Sequence, residues 1–94
     1  MDANQSTLKA FQKIPGVGQT IAKDFWNIGL RSVDDLKGNN PEYLYETLCG
    51  YQGTQVDRCM LYVLRCAVYY ASEKNHNPDL LKWWNWKDRR IHDE

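Results

Sequence analysis

The stretch Ile14-Pro15-Gly16-Val17-Gly18 decides the fold expected of this chain. Pro15 ends a helix, because proline has no amide hydrogen and shifts the residue before it out of the helical region. Gly16 and Gly18 allow a positive φ, and their missing side chains let another group approach the backbone closely. The stretch therefore predicts a tight turn that joins two helices.

The segments on both sides of this turn place apolar residues at helical spacing. The first helix is expected to start after Ser6 or Thr7 and to stop at Pro15. The second follows Gly18 and is ended by Gly29 in a left-handed conformation. The core positions are predicted to be Leu8, Phe11 and Ile14 in the first helix and Ile21, Phe25 and Ile28 in the second.

The rest of the chain also predicts helices, separated by glycine or Asn-Pro signals. Ser32 starts a short helix to about residue 37, and Asn40 starts another that runs to about residue 49. Residues 54–72 form a long helix at the centre of the core, and Asn77 opens a last, Trp-rich helix. The fold class is thus all-α, a compact bundle of about five to six short helices.

A second glycine-bracketed turn, Gly50-Tyr51-Gln52-Gly53, repeats the first with one residue inserted. The prediction is one domain built from two hairpin units, residues 7–37 and a degenerate copy at 41–73. Residues 77–94 add the C-terminal Trp-rich helix and tail. The inserted residue alters the aim of the second turn, so this turn either touches phosphate or only completes the architecture.

Composition limits the function. The chain has 94 residues, 43% hydrophobic and 13% aromatic, enough for one compact domain. Twelve Lys and Arg balance twelve Asp and Glu, so no net charge attracts a polyanion. The N-terminus has no secretory-signal pattern, no apolar run reaches the length of a membrane span, and the three cysteines form no disulfide framework. We therefore expect a cytoplasmic protein that does not engage a membrane.

The first turn has the chemistry of a phosphate site. The amides of Gly18, Gln19 and Thr20 lie at a helix N-terminus, where unpaired N–H groups and the helix dipole favour anions. The side chains of Thr20, Lys13 and Lys23 are the best placed to add contacts, and such a site holds the sugar-phosphate backbone without reading bases. Alternatively, Gly16 and Gly18 serve only to let two helices turn tightly and pack.

Two resemblances extend this interpretation. Residues 8–36 look like the helix-hairpin-helix units of DNA repair and recombination proteins, through Ile14-Pro15-Gly16-Val17-Gly18 and Ile28-Gly29-Leu30. Nearly the whole chain resembles the small bacterial pathogenicity-locus family of mitomycin-resistance-like proteins. The motifs that carry this second resemblance are Cys49-Gly50-Tyr51-Gln52-Gly53, Val56-Asp57-Arg58-Cys59, Arg65-Cys66-Ala67-Val68-Tyr69-Tyr70-Ala71 and Trp83-Trp84-Asn85-Trp86.

The helix-hairpin-helix resemblance implies non-specific binding of double-stranded DNA through its phosphates. It also implies a K⁺ or Na⁺ on backbone carbonyls, which by position are those of Gln12, Ile14 and Val17. Gln19 departs from the pattern, because many DNA-binding members carry a cation there. This departure and the neutral net charge lower the expected affinity.

Two further groups of residues suggest a surface for a protein partner. Arg58, Tyr62, Arg65 and Tyr69 share one stripe of the long helix, either as a binding face or as an outer face whose arginine stems cover apolar surface. The tryptophans Trp83, Trp84 and Trp86 either offer a partner-binding or base-stacking edge or seal the bundle.

No catalytic arrangement and no zinc-binding spacing stands out, so we expect neither enzymatic activity nor a metal held by side chains. The leading hypothesis is weak, sequence-independent DNA binding, with a role in DNA repair, recombination or damage resistance. Gly16, Gly18, Gln19 and Thr20 are expected to supply the backbone contacts, and Lys13 and Lys23 the charge. The alternative is a non-catalytic protein-interaction module.

Overall fold

A computed structural model describes residues 5–87. Within this range the chain forms four α-helices, three 3-10 helices and no strand, which confirms the all-α prediction. The α-helices are α1 (Gln5–Gln12), α2 (Gln19–Asn27), α3 (Pro41–Gln52) and α4 (Arg58–Ser72), and the 3-10 helices are Val33–Leu36, Pro78–Leu81 and Trp83–Trp86. No helix in the described range is both long and apolar enough to cross a membrane.

Helix α4 is the centre of the core, as the sequence predicted. It packs against α3 and against all three 3-10 helices. Leu64, Cys66, Ala67 and Val68 are almost completely buried, because α4 is apolar around most of its circumference. The helix begins at Arg58 rather than near residue 54, since Asp57 caps it by accepting a hydrogen bond from the amide of Cys59.

Helices α1 and α2 pack against each other across the first glycine turn. The rings of Phe11 and Phe25 meet edge to face with centroids 5.4 Å apart, and Ala22 of α2 is fully buried. Gly29 ends α2 with a φ of 100°, and the amide of Leu30 donates to the carbonyl of Phe25. This left-handed cap is the one that the sequence predicted.

The short helix predicted after Ser32 is a 3-10 helix, and Ser32 does not cap it with its side chain. Instead, the carboxylate of Asp35 accepts a hydrogen bond from the amide of Arg31 at 2.8 Å. Leu36 is fully buried and anchors this segment to the core. The helix stays short because Gly38, only two residues beyond that anchor, has a φ of 70°.

The second glycine turn was predicted wrongly. Helix α3 begins as expected, with the Asn40 side chain accepting from the amides of Glu42 and Tyr43, but it continues through Gly50 to Gln52. Only Gly53 takes the left-handed conformation, and the amide of Thr54 then donates to the carbonyl of Cys49.

A short segment without regular secondary structure follows Gly53, and it is tied to α3 because the Tyr45 hydroxyl donates to the carbonyl of Val56. The four residues Gly50-Tyr51-Gln52-Gly53 therefore do not repeat the geometry of the first turn, and their amides are not aimed as a second phosphate site. Helices α3 and α4 nonetheless pack against each other.

The Trp-rich C-terminal helix was also predicted wrongly in the part that the structure describes. Asn77 caps its start as expected, accepting from the amide of Asp79 at 3.0 Å. Lys82 is extended, however, and divides the segment into two 3-10 helices. Side chains take the place of helical hydrogen bonds, since the Trp86 indole donates to the carbonyl of Leu80 at 2.8 Å. The predicted tail, residues 88–94, lies outside the described residues.

Candidate nucleic-acid interface

The first turn is fixed from inside the protein. The amide of Ile14 donates to the carbonyl of Phe11, and the amide of Val17 donates to the carbonyl of Ile14, both at 3.0 Å. The side chains of Ile14 and Val17 are buried in the core. Gly16, which has a φ of 87°, reverses the chain between them. The turn therefore presents the start of α2 in a set position.

The start of α2 offers unpaired amides to solvent. Gly18 is the N-cap residue, in an extended conformation, and it has no side chain to accept a hydrogen bond from the helix. The first amide bonded within α2 is that of Ala22, which donates to the carbonyl of Gly18 at 2.9 Å. Gly18, Gln19 and Thr20 are all exposed. Amides of a first helical turn lack intrahelical acceptors, so this end can hold an anion.

The distribution of charge along the chain also favours anion binding at this end of the molecule. Between Gln5 and Lys23 the sequence contains Lys9, Lys13 and Lys23 and no acidic residue. All three lysines are exposed in the structure. Although the net charge of the chain is zero, the segment that includes α1, the first turn and the start of α2 is therefore cationic. Asp24, the next residue, is half-buried, and desolvation raises the pKa of its carboxyl group.

The group that approaches Gly16 belongs to the chain itself. A Cβ atom added at Gly16 would lie 2.7 Å from Cδ1 of Trp83, too close for an unstrained contact. A Cβ atom added at Gly18 would meet nothing within 4 Å. The missing side chain at Gly16 therefore accommodates an indole ring, while Gly18 is the open glycine. A phosphate contact from Gly16 stays a prediction.

The monovalent-cation site at the turn also stays a prediction. Of the three carbonyls named for it, that of Ile14 accepts the amide of Val17, and those of Gln12 and Val17 lie at the end of α1 and in the turn. Among residues 5–87, no group of three or more His, Cys, Asp or Glu side chains is arranged to hold a metal ion.

Two residues predicted for a partner surface lie in the interior. Arg65 is only 5% exposed, because its guanidinium pairs with Glu42 at 2.9 Å and donates to the carbonyl of Trp86 at 2.8 Å. Trp86 is 2% exposed and closes the bundle over α4. The helical spacing of the Arg/Tyr stripe could not reveal this, because the bonds to Arg65 come from two distant segments.

The remaining members of the predicted partner surface do lie together. Arg58, Tyr62, Trp83 and Trp84 line one groove at the start of α4, with Arg58 and Trp84 exposed and the other two half-buried. Trp83 connects this groove to Gly16 of the first turn. Sequence reasoning did not predict that connection, and the only signal for it was a glycine that tolerates close approach.

These features define a small all-α protein with an open, cationic helix start beside an aromatic groove. The pathogenicity-locus family matches residues 4–92, almost the whole chain, and the chain belongs to this family. The mitomycin resistance protein McrB of Streptomyces lavendulae is 30% identical over 74 residues, which cover 79% of this chain and 67% of that protein. No solved structure matches the chain.

Proposed function

We propose that the protein binds double-stranded DNA weakly and without sequence preference, through the phosphate backbone, using the first turn as a helix-hairpin-helix element. The observation that carries the proposal is the uncapped, exposed start of α2 at Gly18, Gln19 and Thr20. Backbone amides at a helix start bind phosphate oxygens and read no bases, so the expected binding is independent of sequence.

Lysine placement supplies the long-range part of the binding. Lys13 directly precedes the turn, and Lys23 lies one helical turn beyond Gln19. Since no acidic residue occurs between Gln5 and Lys23, this segment of the chain does not itself repel an approaching phosphate. The acidic residues that neutralise the molecule lie elsewhere in the sequence and limit the affinity.

The proposal includes a role in DNA repair, recombination or damage resistance. The resistance for which the Streptomyces lavendulae relative is named supports that role. A non-catalytic protein-interaction module is the second candidate, and the exposed Trp84 favours it. The two functions differ in their dependence on salt, because only phosphate binding releases counterions from DNA.

The test is a fluorescence-anisotropy titration of a labelled duplex at two salt concentrations. Two lysine contacts predict a slope of about −1.8 in log K against log salt concentration. Lys13→Glu with Lys23→Glu should abolish binding. Lys37→Glu with Lys74→Glu, which changes the net charge equally at exposed positions outside the turn, should retain most of it. No binding at low salt, or equal loss in both double variants, would refute the proposal.

A further inference from the structure

Beside the first turn lies a groove lined by aromatic and cationic side chains. It has a volume of about 280 Å³, close to the lower limit of small-molecule sites, so it holds one planar ring system rather than a run of stacked bases. One wall is the start of α4, and the other is the 3-10 helix Trp83–Trp86. The lining residues are Asp57, Arg58, Cys59, Tyr62, Trp83, Trp84 and Lys87.

The two tryptophans form a corner in this groove. Their ring centroids are 5.7 Å apart and the ring planes meet at 85°. Trp83 is half-buried against Gly16, whereas Trp84 is 56% exposed although it is large and apolar. A planar group that stacks on one indole face in such a corner also meets the other ring, and an indole face is a favourable stacking surface for any nucleobase.

Charge at the groove favours an anionic ligand. Arg58 and Lys87 are exposed cations on opposite walls, and Asp57 is the single acidic residue among the lining side chains. The Asp57 carboxylate is already engaged, because it accepts the amide of Cys59 at 2.8 Å and caps α4. That hydrogen bond holds the carboxylate at the helix start, and along the groove two exposed cations face this one anion.

The groove is linked through Trp83 to the turn that carries the proposed phosphate site. Trp83 lines it on one side and covers Gly16 on the other, where a second groove of about 340 Å³ also includes Ile21 of α2. Gly16 and Ile21 flank the amides of Gly18 to Thr20 in the sequence, so a strand bound at those amides lies beside this second groove. Bases inside an intact duplex are stacked on each other and are not available to it.

The geometry points to a binding site for an unstacked base of single-stranded DNA at Trp84, next to the phosphate site of the first turn. This inference rests on the proposed function and refines its substrate class: the first turn binds the phosphates of the duplex, and Trp84 adds a contact where a single-stranded segment adjoins that duplex. Trp84 supplies the stacking surface, Arg58 and Lys87 hold the flanking phosphates, and Trp83 fixes the groove against the turn.

The test compares three labelled probes by fluorescence anisotropy. They are an oligothymidine of about 12 nucleotides, an abasic strand of the same length and a duplex of the same length. Trp84→Ala should weaken binding of the oligothymidine by about 5- to 150-fold, the range found for loss of one base-stacking contact. Binding of the abasic strand and of the duplex should not change.

Two further variants show whether an effect is specific to an aromatic ring at position 84. Tyr51→Ala removes an equally exposed aromatic side chain from α3, outside the groove, and should leave all three affinities unchanged. Trp84→Phe retains a ring at the site and should restore part of the oligothymidine affinity. Thermal unfolding of each variant checks that it folds, which is expected since Trp84 is largely exposed.

Either of two results would overturn the base-stacking site. The first is unchanged oligothymidine binding by Trp84→Ala, and the second is an equal loss on the oligothymidine and on the abasic strand. Duplex binding that survives while the oligothymidine shows no dependence on Trp84 refutes this inference alone. Duplex binding that is insensitive to Lys13→Glu with Lys23→Glu refutes the proposed function instead.

Discussion

Replacing Gly16 by alanine measures how tightly the C-terminal segment is docked on the first turn. Alanine at a positive φ costs about 1–2 kcal/mol, and φ at Gly16 is 87°. The added Cβ would also lie 2.7 Å from Cδ1 of Trp83, and relieving such overpacking costs about 1–3 kcal/mol more. We therefore expect Gly16→Ala to lower the free energy of unfolding by about 2–5 kcal/mol.

Gly38→Ala is the matched control. Gly38 has a φ of 70°, and a Cβ atom there meets nothing within 4 Å, so only the backbone cost of about 1–2 kcal/mol remains. Urea denaturation of both variants gives the difference, which we expect to be about 1–3 kcal/mol. In a Trp83→Ala background, Gly16→Ala should cost no more than Gly38→Ala does. Equal costs of the two glycine variants in the natural sequence would show that Trp83 does not lie on the turn.

Two more predictions concern buried groups in α4. Arg65→Ala should lower the free energy of unfolding by about 2–4 kcal/mol, because the substitution leaves the buried carbonyl of Trp86 without its hydrogen-bond donor. The loss should be smaller than that caused by breaking a fully buried ion pair, since water can hydrate the partly exposed Glu42. Arg58→Ala, at an exposed position of the same helix, is the control and should change the free energy of unfolding by less than about 0.5 kcal/mol. Equal effects of the two substitutions would contradict the buried pairing of Arg65. Burial raises the pKa of the Cys66 thiol from 9.0 in the unfolded chain to about 11 in the folded protein. Between these two pH values the thiol ionises only when the chain is unfolded, so the free energy of unfolding should fall as the pH rises from 9.0 to about 11. Denaturation at a series of pH values should show this fall in the natural protein, and Cys66→Ala should remove the part of it that Cys66 causes. The same pH dependence in both proteins would contradict the prediction.

Local signals in the sequence predicted three of the helix ends correctly. Asn40 and Asn77 cap their helices, and Gly29 ends α2, because each of these bonds joins residues only a few positions apart. The first turn was predictable for the same reason. The amides of Gly18 and Gln19 are exposed because Ile14 and Val17, within the turn itself, hold it against the core.

Contacts between distant segments were not predictable. Gly50 and Gly53 look alike in sequence, but the tie from Tyr45 to Val56 and the cap at Gly53 leave Gly50 inside a helix. The place of Arg65 in the interior depends on Glu42 and on the carbonyl of Trp86, 21 residues away. No spacing rule within one helix contains that information.

The aromatic groove has the same origin. Trp83 contacts Gly16 although the two are 67 positions apart in the sequence, and this contact brings the groove that contains Trp84 to the first turn. The sequence suggested both a phosphate site and a tryptophan edge as separate features. Their proximity turns them into neighbouring parts of one proposed surface for DNA.

The affinity of Gly18→Asp for duplex DNA tests the central proposal most directly. Gly18 has room for a side chain and an extended backbone that aspartate adopts readily, so the substitution should cap α2 and keep or raise the thermal midpoint. The same carboxylate would occupy the amides of α2 and repel phosphate. We predict loss of duplex binding in a protein at least as stable as the natural one. Undiminished binding by the folded variant would contradict a phosphate site at this turn.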